Sequence, residues 1–329
     1  MKSIKVQLDW TPNTNHVGMY VAISKNYYAD LGLNVELISP SEDYLVSETP
    51  ARSVILGNAD LCISPSESLI SCYTSDSVDE NARPKAIASL LNEDCSAIAT
   101  KQNITSLKEL DDKIYASYGG RFENDIVLCN IRNDGGKGTI KVLEPPKLNC
   151  FDEVMNGNAD ATWIFTAWEG VIARSKGFEF KTFSLNDNYG YSPIIMASHE
   201  MITNRTDDLK KFLTATAKGY DYAKSNQEDS AKLLKETANH RSLDDISVPL
   251  LEESIQILSK YFMVQRRGAG EGEEGVSEVS MAPMDANRWS SFFSWLFTNE
   301  CIKSRTGEII PSSCLDSSEG VAWTNEFIV

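Results

Sequence analysis

From its first residues to about position 197, the chain alternates short apolar runs with amphipathic stretches. Ile4-Lys5-Val6-Gln7-Leu8 has the period of two expected of a strand with one buried face. Thr11-Pro12-Asn13-Thr14-Asn15 then supplies turn and N-cap residues. Val17, Tyr20, Val21, Tyr28 and Leu31 recur near one helical face until Gly32 stops the helix. Further strands are predicted over 35–38, 61–64, 87–91 and 97–100, and a second set over 114–118, 140–143, 162–165, 178–183 and 193–197. Alternation at this spacing predicts an α/β protein whose sheets are mostly parallel and flanked by helices.

One tetrapeptide recurs. Gly57-Asn58-Ala59-Asp60 returns as Gly157-Asn158-Ala159-Asp160, each time after a helix-like stretch and before an apolar strand. Glycine ends a helix readily, and a short polar turn can feed the next strand. The echo is either the shared chemistry of helix ends or the same α-to-β unit repeated in two lobes, and its matching context favours two lobes. The expected division puts residues 1–97 with 194–329 in lobe 1 and residues 98–193 in lobe 2. Beyond 197 the pattern turns helical, with Leu209, Phe212, Leu213, Thr216 and Tyr220 at helical spacing and further helices over 228–237 and 248–261. The glycine- and glutamate-rich stretch 268–275 reads as a surface loop or insertion. Trp289, Phe292, Phe293 and Leu296 form an apolar stripe without a basic face, which points to core packing rather than a membrane surface.

Charge narrows the partners. Thirty-one Lys and Arg against 47 Asp and Glu give −16, a field that disfavours nucleic acid and anionic membranes. No apolar run approaches the ~20 residues of a membrane span. Seven cysteines (Cys62, Cys72, Cys95, Cys129, Cys150, Cys301 and Cys314) include no Cys-x-x-Cys pair, and several sit inside apolar patterns. Free thiols in a reducing compartment are expected. With no signal-peptide pattern after Met1, a cytoplasmic location is the main expectation, and the mature form of an exported protein is the alternative. His16, His199 and His240 lie far apart and lack ligand spacing to the cysteines, so no metal site is expected. No cofactor is expected either.

Ligands of open parallel sheets sit beyond the carboxyl ends of the strands. That rule selects residues 9–13, 64–68, 118–121 and 166–169, with 189–193 on the crossing between lobes. Trp10, Trp163, Trp168, Tyr189 and Tyr191 could stack on a flat ring, although Trp163, within an apolar strand, is also an ordinary core residue, and Tyr118 is a further strand-end binding candidate. Asp9, Glu67 and Glu169 could accept hydrogen bonds from ring amines. Ser64 adds a hydroxyl, and Arg121 is the one guanidinium nearby. This set suits an amino-substituted heteroaromatic better than a sulfonate or phosphate.

Leu8-Asp9-Trp10-Thr11-Pro12-Asn13-Thr14-Asn15-His16 resembles the opening motif of the NMT1/THI5-like family. Trp163-Ile164-Phe165 with Trp168-Glu169-Gly170, Tyr191-Ser192-Pro193 and the ending Trp323-Thr324-Asn325-Glu326-Phe327 are similar to its later motifs. The resemblance implies a two-lobed periplasmic-binding-protein-like fold of type II and a small ligand, a thiamine-related aminopyrimidine, held in the cleft. It implies that Trp10 is a stacking wall, that Glu169 accepts from the pyrimidine, and that Tyr191 belongs to the facing wall. Asn13, His16 and Glu67 would line the cleft. Thr166 stands where relatives often carry tyrosine. A fungal branch of the family makes a thiamine pyrimidine with pyridoxal phosphate. Its cofactor lysine aligns with Ser64, its histidine with Ser68, and its cysteine-rich loop with cysteine-free 188–192. An enzyme of that pathway is therefore the alternative reading, and an exported sulfonate, nitrate or taurine binder is the third.

Overall fold

The computed structural model describes residues 1–40, 48–75, 77–145, 150–185, 189–267, 278–304 and 306–329. The first sheet is built from β1 (Lys2–Gln7), β2 (Leu33–Ile38), β3 (Leu61–Ser64), β4 (Lys85–Ser89) and β10 (Ile194–Ala197). The second is built from β5 (Ser96–Thr100), β6 (Lys113–Ala116), β7 (Ile140–Leu143), β8 (Ala161–Phe165) and β9 (Lys181–Ser184). Helices α1 (Val17–Ser24), α2 (Tyr27–Asp30), α3 (Pro50–Ile55) and α4 (Ser66–Tyr73) connect the first set. Helices α5 (Glu123–Asn133), α6 (Cys150–Met155) and α7 (Glu169–Ser175) connect the second. The rest of the chain forms α8 (His199–Asn204), α9 (Thr206–Ser225), α10 (Gln227–Ala238), α11 (Val248–Leu258), a hairpin of β11 (Val264–Arg267) and β12 (Glu278–Met281), and α12 (Ala286–Thr298). The glycine-rich stretch 268–275 lies outside the described residues.

The two sheets have the same plan. Their strand orders are β2-β1-β3-β10-β4 and β7-β6-β8-β5-β9. In the first, β1 pairs in parallel with β2 and β3, while β10 is antiparallel to β3 and β4. In the second, β6 pairs in parallel with β7 and β8, while β5 is antiparallel to β8 and β9. Each sheet is thus mostly parallel, with four strands running one way and one the other. The antiparallel strand in each is the one that arrives from the other sheet, so it owes its direction to no local crossover helix. The crossings themselves run side by side, with Leu90 N donating to Pro193 O at 2.9 Å.

The repeated tetrapeptide has the same role in both sheets. Asp60 Oδ2 accepts from Lys5 N at 2.8 Å and Asp60 N donates to Lys5 O at 3.0 Å. Asp160 Oδ2 accepts from Ile114 N at 3.0 Å and Asp160 N donates to Ile114 O at 2.7 Å. Each aspartate therefore closes the ladder just ahead of β3 or β8. Gly57 and Gly157 adopt φ of 76° and 84°, the left-handed turn that lets helix pass to strand.

The sequence pattern predicts one helix through Leu31. Asn26, at φ 61°, breaks it into α1 and α2. The Trp289–Leu296 stripe lies on α12 and is buried, as core packing requires. One apolar core joins the first sheet, the carboxyl-terminal helices and part of the second sheet, and a smaller one lies around α6, β8 and Phe180.

The carboxyl-terminal helices fix the site loops. A Cβ on Gly219 of α9 would stand 1.9 Å from Gly18 O of α1, and one on Gly18 would stand 2.2 Å from the Tyr220 ring. The two backbones therefore touch. This contact seats Tyr220, whose hydroxyl donates to Asn15 O at 2.5 Å, just after Asp9 and Trp10. Gly219→Ala is expected to lower stability by about 1–3 kcal/mol through forced separation of α1 and α9. Urea unfolding measures this, and an unchanged midpoint would show that the contact relaxes freely.

Candidate functional site

The carboxyl ends of β1, β3, β6 and β8 converge on one region between the sheets, and a helix starts soon after each end. A glutamate occupies the first turn of three of these helices: Glu67 in α4, Glu123 in α5 and Glu169 in α7. Helix amino termini leave N–H groups without intrahelical partners, and a carboxylate there is favoured by the helix dipole. Glu169 Oε2 accepts from Phe165 N at 2.9 Å. Glu123 accepts from Gly120 N at 3.0 Å, Tyr118 N at 3.2 Å and Tyr115 OH at 2.8 Å. The Tyr189 hydroxyl donates to Glu67. The turn therefore presents the N–H groups of Tyr118 and Gly120 to an internal carboxylate, while Gly119 N donates to Ser117 Oγ at 3.1 Å.

Aromatic rings close the same space. Trp10 meets Tyr118 edge to face at 5.2 Å, joining the end of β1 to the end of β6. Tyr189 lies between Trp163 at 5.4 Å and Phe292 at 4.9 Å. Trp163, ambiguous by sequence, is half-buried here and belongs to this aromatic group.

Other predicted residues support the site from behind. Asn13 is buried, accepts from Asn15 N at 2.8 Å and donates to Thr11 O at 3.0 Å. Its amide is used in shaping the loop. His16 is fully buried, and its Nε2 lies 2.8 Å from Asp9 Oδ1, so it orients that carboxylate. Ser64 is buried at the end of β3, and Trp168 caps α7 from within the core. The Tyr191 ring packs on Trp289 at 5.6 Å and under the Arg288 guanidinium at 4.4 Å, while its hydroxyl accepts from Asp285 N at 2.7 Å. Trp10 thus faces Tyr118, and Tyr191 is committed to α12. Arg121 donates to Lys303 O at 3.1 Å and borders a cavity of about 480 Å³ with Tyr73, Ser75, Glu308 and Ile310. Thr166 binds Cys95 O through both N and Oγ1, at 2.9 and 3.0 Å.

Two carboxyl groups escaped notice in the sequence. Glu123 lies three residues beyond Gly120, at the helix start that the Gly-Gly turn signals. Asp94 lies on the crossing into β5 and accepts from Ser96 Oγ at 2.7 Å. No strand-end rule reaches Asp94, because it precedes its strand. Burial pushes Glu67, Asp94 and Glu169 up to about 7, with Asp9 reinforcing the rise at Glu169. Burial also raises Glu123 despite its three donors. Crowded, poorly solvated carboxyls of this kind gain from a ligand that brings N–H donors or positive charge.

Two matched sheets, paired crossings and a polar, aromatic region between strand ends define a protein of the periplasmic solute-binding fold. The chain belongs to the NMT1/THI5-like family, whose pattern matches residues 13–230. It is 22% identical over 310 residues to the formylaminopyrimidine-binding protein of Halalkalibacterium halodurans, covering 92% of this chain and 87% of that one. Among solved structures, the alkanesulfonate-binding protein SsuA of Xanthomonas axonopodis pv. citri, bound to MOPS, superposes with a TM-score of 0.66 at 11% identity, covering 95% of this chain and 98% of that one. The periplasmic aliphatic sulphonate binding protein SsuA of Escherichia coli gives 0.63 at 13% identity, covering 97% and 95%. Among the described residues, no helix is long and apolar enough to cross a membrane. The cytoplasmic expectation finds no support in these relatives, since the E. coli protein is periplasmic.

The raised carboxyls set a pH dependence. Between the ordinary carboxyl range, 3.8 to 4.5, and about 7, the folded chain holds protons on these groups that the unfolded chain has released. Stability of the unliganded protein should therefore fall as pH rises from about 5 to about 7. His240, which burial lowers, opposes this with one proton. Urea midpoints across that window test the slope, which Glu67→Gln should flatten. A midpoint that rises with pH in the unsubstituted protein would contradict it.

Proposed function

We propose that this chain is a binding protein for a thiamine-related aminopyrimidine, held where the strand ends of the two sheets meet. The observation that carries this is the Trp10–Tyr118 contact near two glutamates at helix starts, the half-buried Glu67 and the buried Glu169. A flat amino-substituted ring offers a π face to the aromatics and N–H donors to the carboxylates. The H. halodurans relative, named for such a ligand, supports the choice. The two sheet units act as lobes, 1–97 with 194–329 and 98–193, and close by hinge motion at the crossings. An exported location, like that of the E. coli relative, accords with this role.

The sulfonate reading is weaker here. An anion would need the free N–H groups at the strand-end turns, and Glu123 and Glu169 already take those of Tyr118, Gly120 and Phe165. The synthase reading lacks an amine at Ser64, where a Schiff base would form.

Titration calorimetry with formylaminopyrimidine and, separately, with an alkanesulfonate tests the assignment. Saturable heat is expected only with the pyrimidine. Trp10→Ala should weaken it by about tenfold to a hundredfold, the loss of one stacking surface at roughly 1–3 kcal/mol. Sulfonate binding without pyrimidine binding would overturn the proposal.

A further inference from the structure

Two buried thiols lie beside one turn of α5, where the second-sheet unit meets the carboxyl-terminal segment. Cys129 lies on α5, and Cys301 follows α12. Both are buried, at 1% and 0% exposure. Cys301 Sγ lies 3.8 Å from Asp125 O, one turn before Cys129 on the same helix. A helical side chain leans back over the turn that precedes it, so the Cys129 sulfur projects toward that same spot. The two thiols thus lie at one turn of α5, near enough to perturb each other's titration. Asn133 Nδ2 also donates to Cys129 Sγ at 3.5 Å, and Lys303 forms an ion pair with Asp125 beside them.

Each thiol is anchored to a different unit. Helix α5 is tied to the second sheet, since Tyr115 OH of β6 donates to Glu123 at 2.8 Å. Cys301 N donates to Leu296 O of α12 at 2.9 Å. Trp289 of α12 stacks on Trp323 at 5.9 Å, and the chain around Trp323 bonds to Ala86 of β4. The thiol pair therefore spans the junction between the two sheet units.

We propose that Cys129 and Cys301 are a disulfide site, a covalent tie that holds the two units in the closed arrangement. The oxidant is a low-molecular-weight disulfide such as oxidised glutathione. The Cys129 thiolate attacks one of its sulfurs and expels one glutathione thiolate. The Cys301 thiolate then attacks the Cys129 sulfur of that mixed disulfide and expels the second. Two electrons pass to oxidised glutathione, and the two thiol protons go to the released thiolates. The setting suits this order. Cys129, on α5, can form the mixed disulfide while the segment is away, and docking then brings Cys301 to the turn of α5 at Asp125, one turn from Cys129, to resolve it. Because both sulfurs are buried, exchange takes place before the carboxyl-terminal segment docks or while the units are apart.

Refolding the full chain from urea in a mixture of reduced and oxidised glutathione tests the proposal. The expected product has lost two hydrogens by intact mass, yields one dithiothreitol-sensitive peptide pair joining Cys129 to Cys301, and unfolds at higher urea than the reduced form. Cys301→Ser and Cys129→Ser should each abolish that cross-link while keeping the far-ultraviolet circular dichroism of the native chain. Should one variant fail to fold, the other and the unsubstituted peptide map still decide. A cross-link between other cysteines, glutathione adducts alone, or an unmodified chain after oxidative refolding would each overturn it. None of these outcomes depends on the ligand.

Discussion

The N–H groups just beyond the strands β3, β6 and β8 must be satisfied where little water reaches. Most of the site follows from that constraint. An open helix start in such a place either receives an anion from solution or supplies its own. This chain supplies its own at Glu123, which takes the N–H groups of Tyr118 and Gly120, and at Glu169, which takes that of Phe165. The consequence is electrostatic. Carboxylates set against the helix starts satisfy the backbone but crowd one another, and burial then favours their protonated forms. A fold that can host sulfonates in its relatives becomes, through side chains alone, a cleft suited to hydrogen-bond donors and cations. Fold alone does not fix a ligand class; that depends on the side chains the fold carries at its strand ends.

The sheets were legible because their signal is local. Period-two alternation marks β1, and apolar runs between turns mark β3 and β7, where the predicted spans coincide with the observed strands. The Gly-Asn-Ala-Asp echo marks equivalent turns because both aspartates meet the same need, closing a ladder at its open end. Strand direction was not legible. β5 and β10 owe their antiparallel course to arriving from the other sheet, and no residue within Ser96–Thr100 or Ile194–Ala197 encodes that. The break at Asn26 escaped notice for a different reason. Asparagine tolerates the left-handed region without the flag that glycine raises.

Within the site, the sequence located the loops better than the side chains' duties. Tyr189 donates to Glu67 and Trp10 meets Tyr118, so two of the contacts join loops that the strand-end rule selects. Asn13 and His16 belong to the same loop, yet one caps it and the other holds Asp9. Both duties depend on which atoms point inward, which periodicity does not record. Tyr191 shows the limit most clearly. A tyrosine on a crossing between sheets can face the cleft or the helices outside it, and α12 claims it through Trp289 and Arg288. That helix arrives almost a hundred residues later in the chain.

The junction between the two units combines part of a shared apolar core with polar contacts of smaller individual weight. The Arg174–Glu253 pair, at 2.9 Å, is exposed on both sides and contributes little in water. Buried contacts matter more. Ser254 of α11 meets Thr14 Oγ1 at 2.5 Å and donates to Ala167 O, so one hydroxyl touches the loops after both β1 and β8. Tyr189 couples the crossing back to the first sheet with Glu67. These polar contacts can be exchanged for water or ligand as the units part, which suits a clamp that must release what it holds. A covalent bond between Cys129 and Cys301 cannot be exchanged in that way. It would convert a junction whose closure depends on many weak terms into one set by the redox state of two sulfurs.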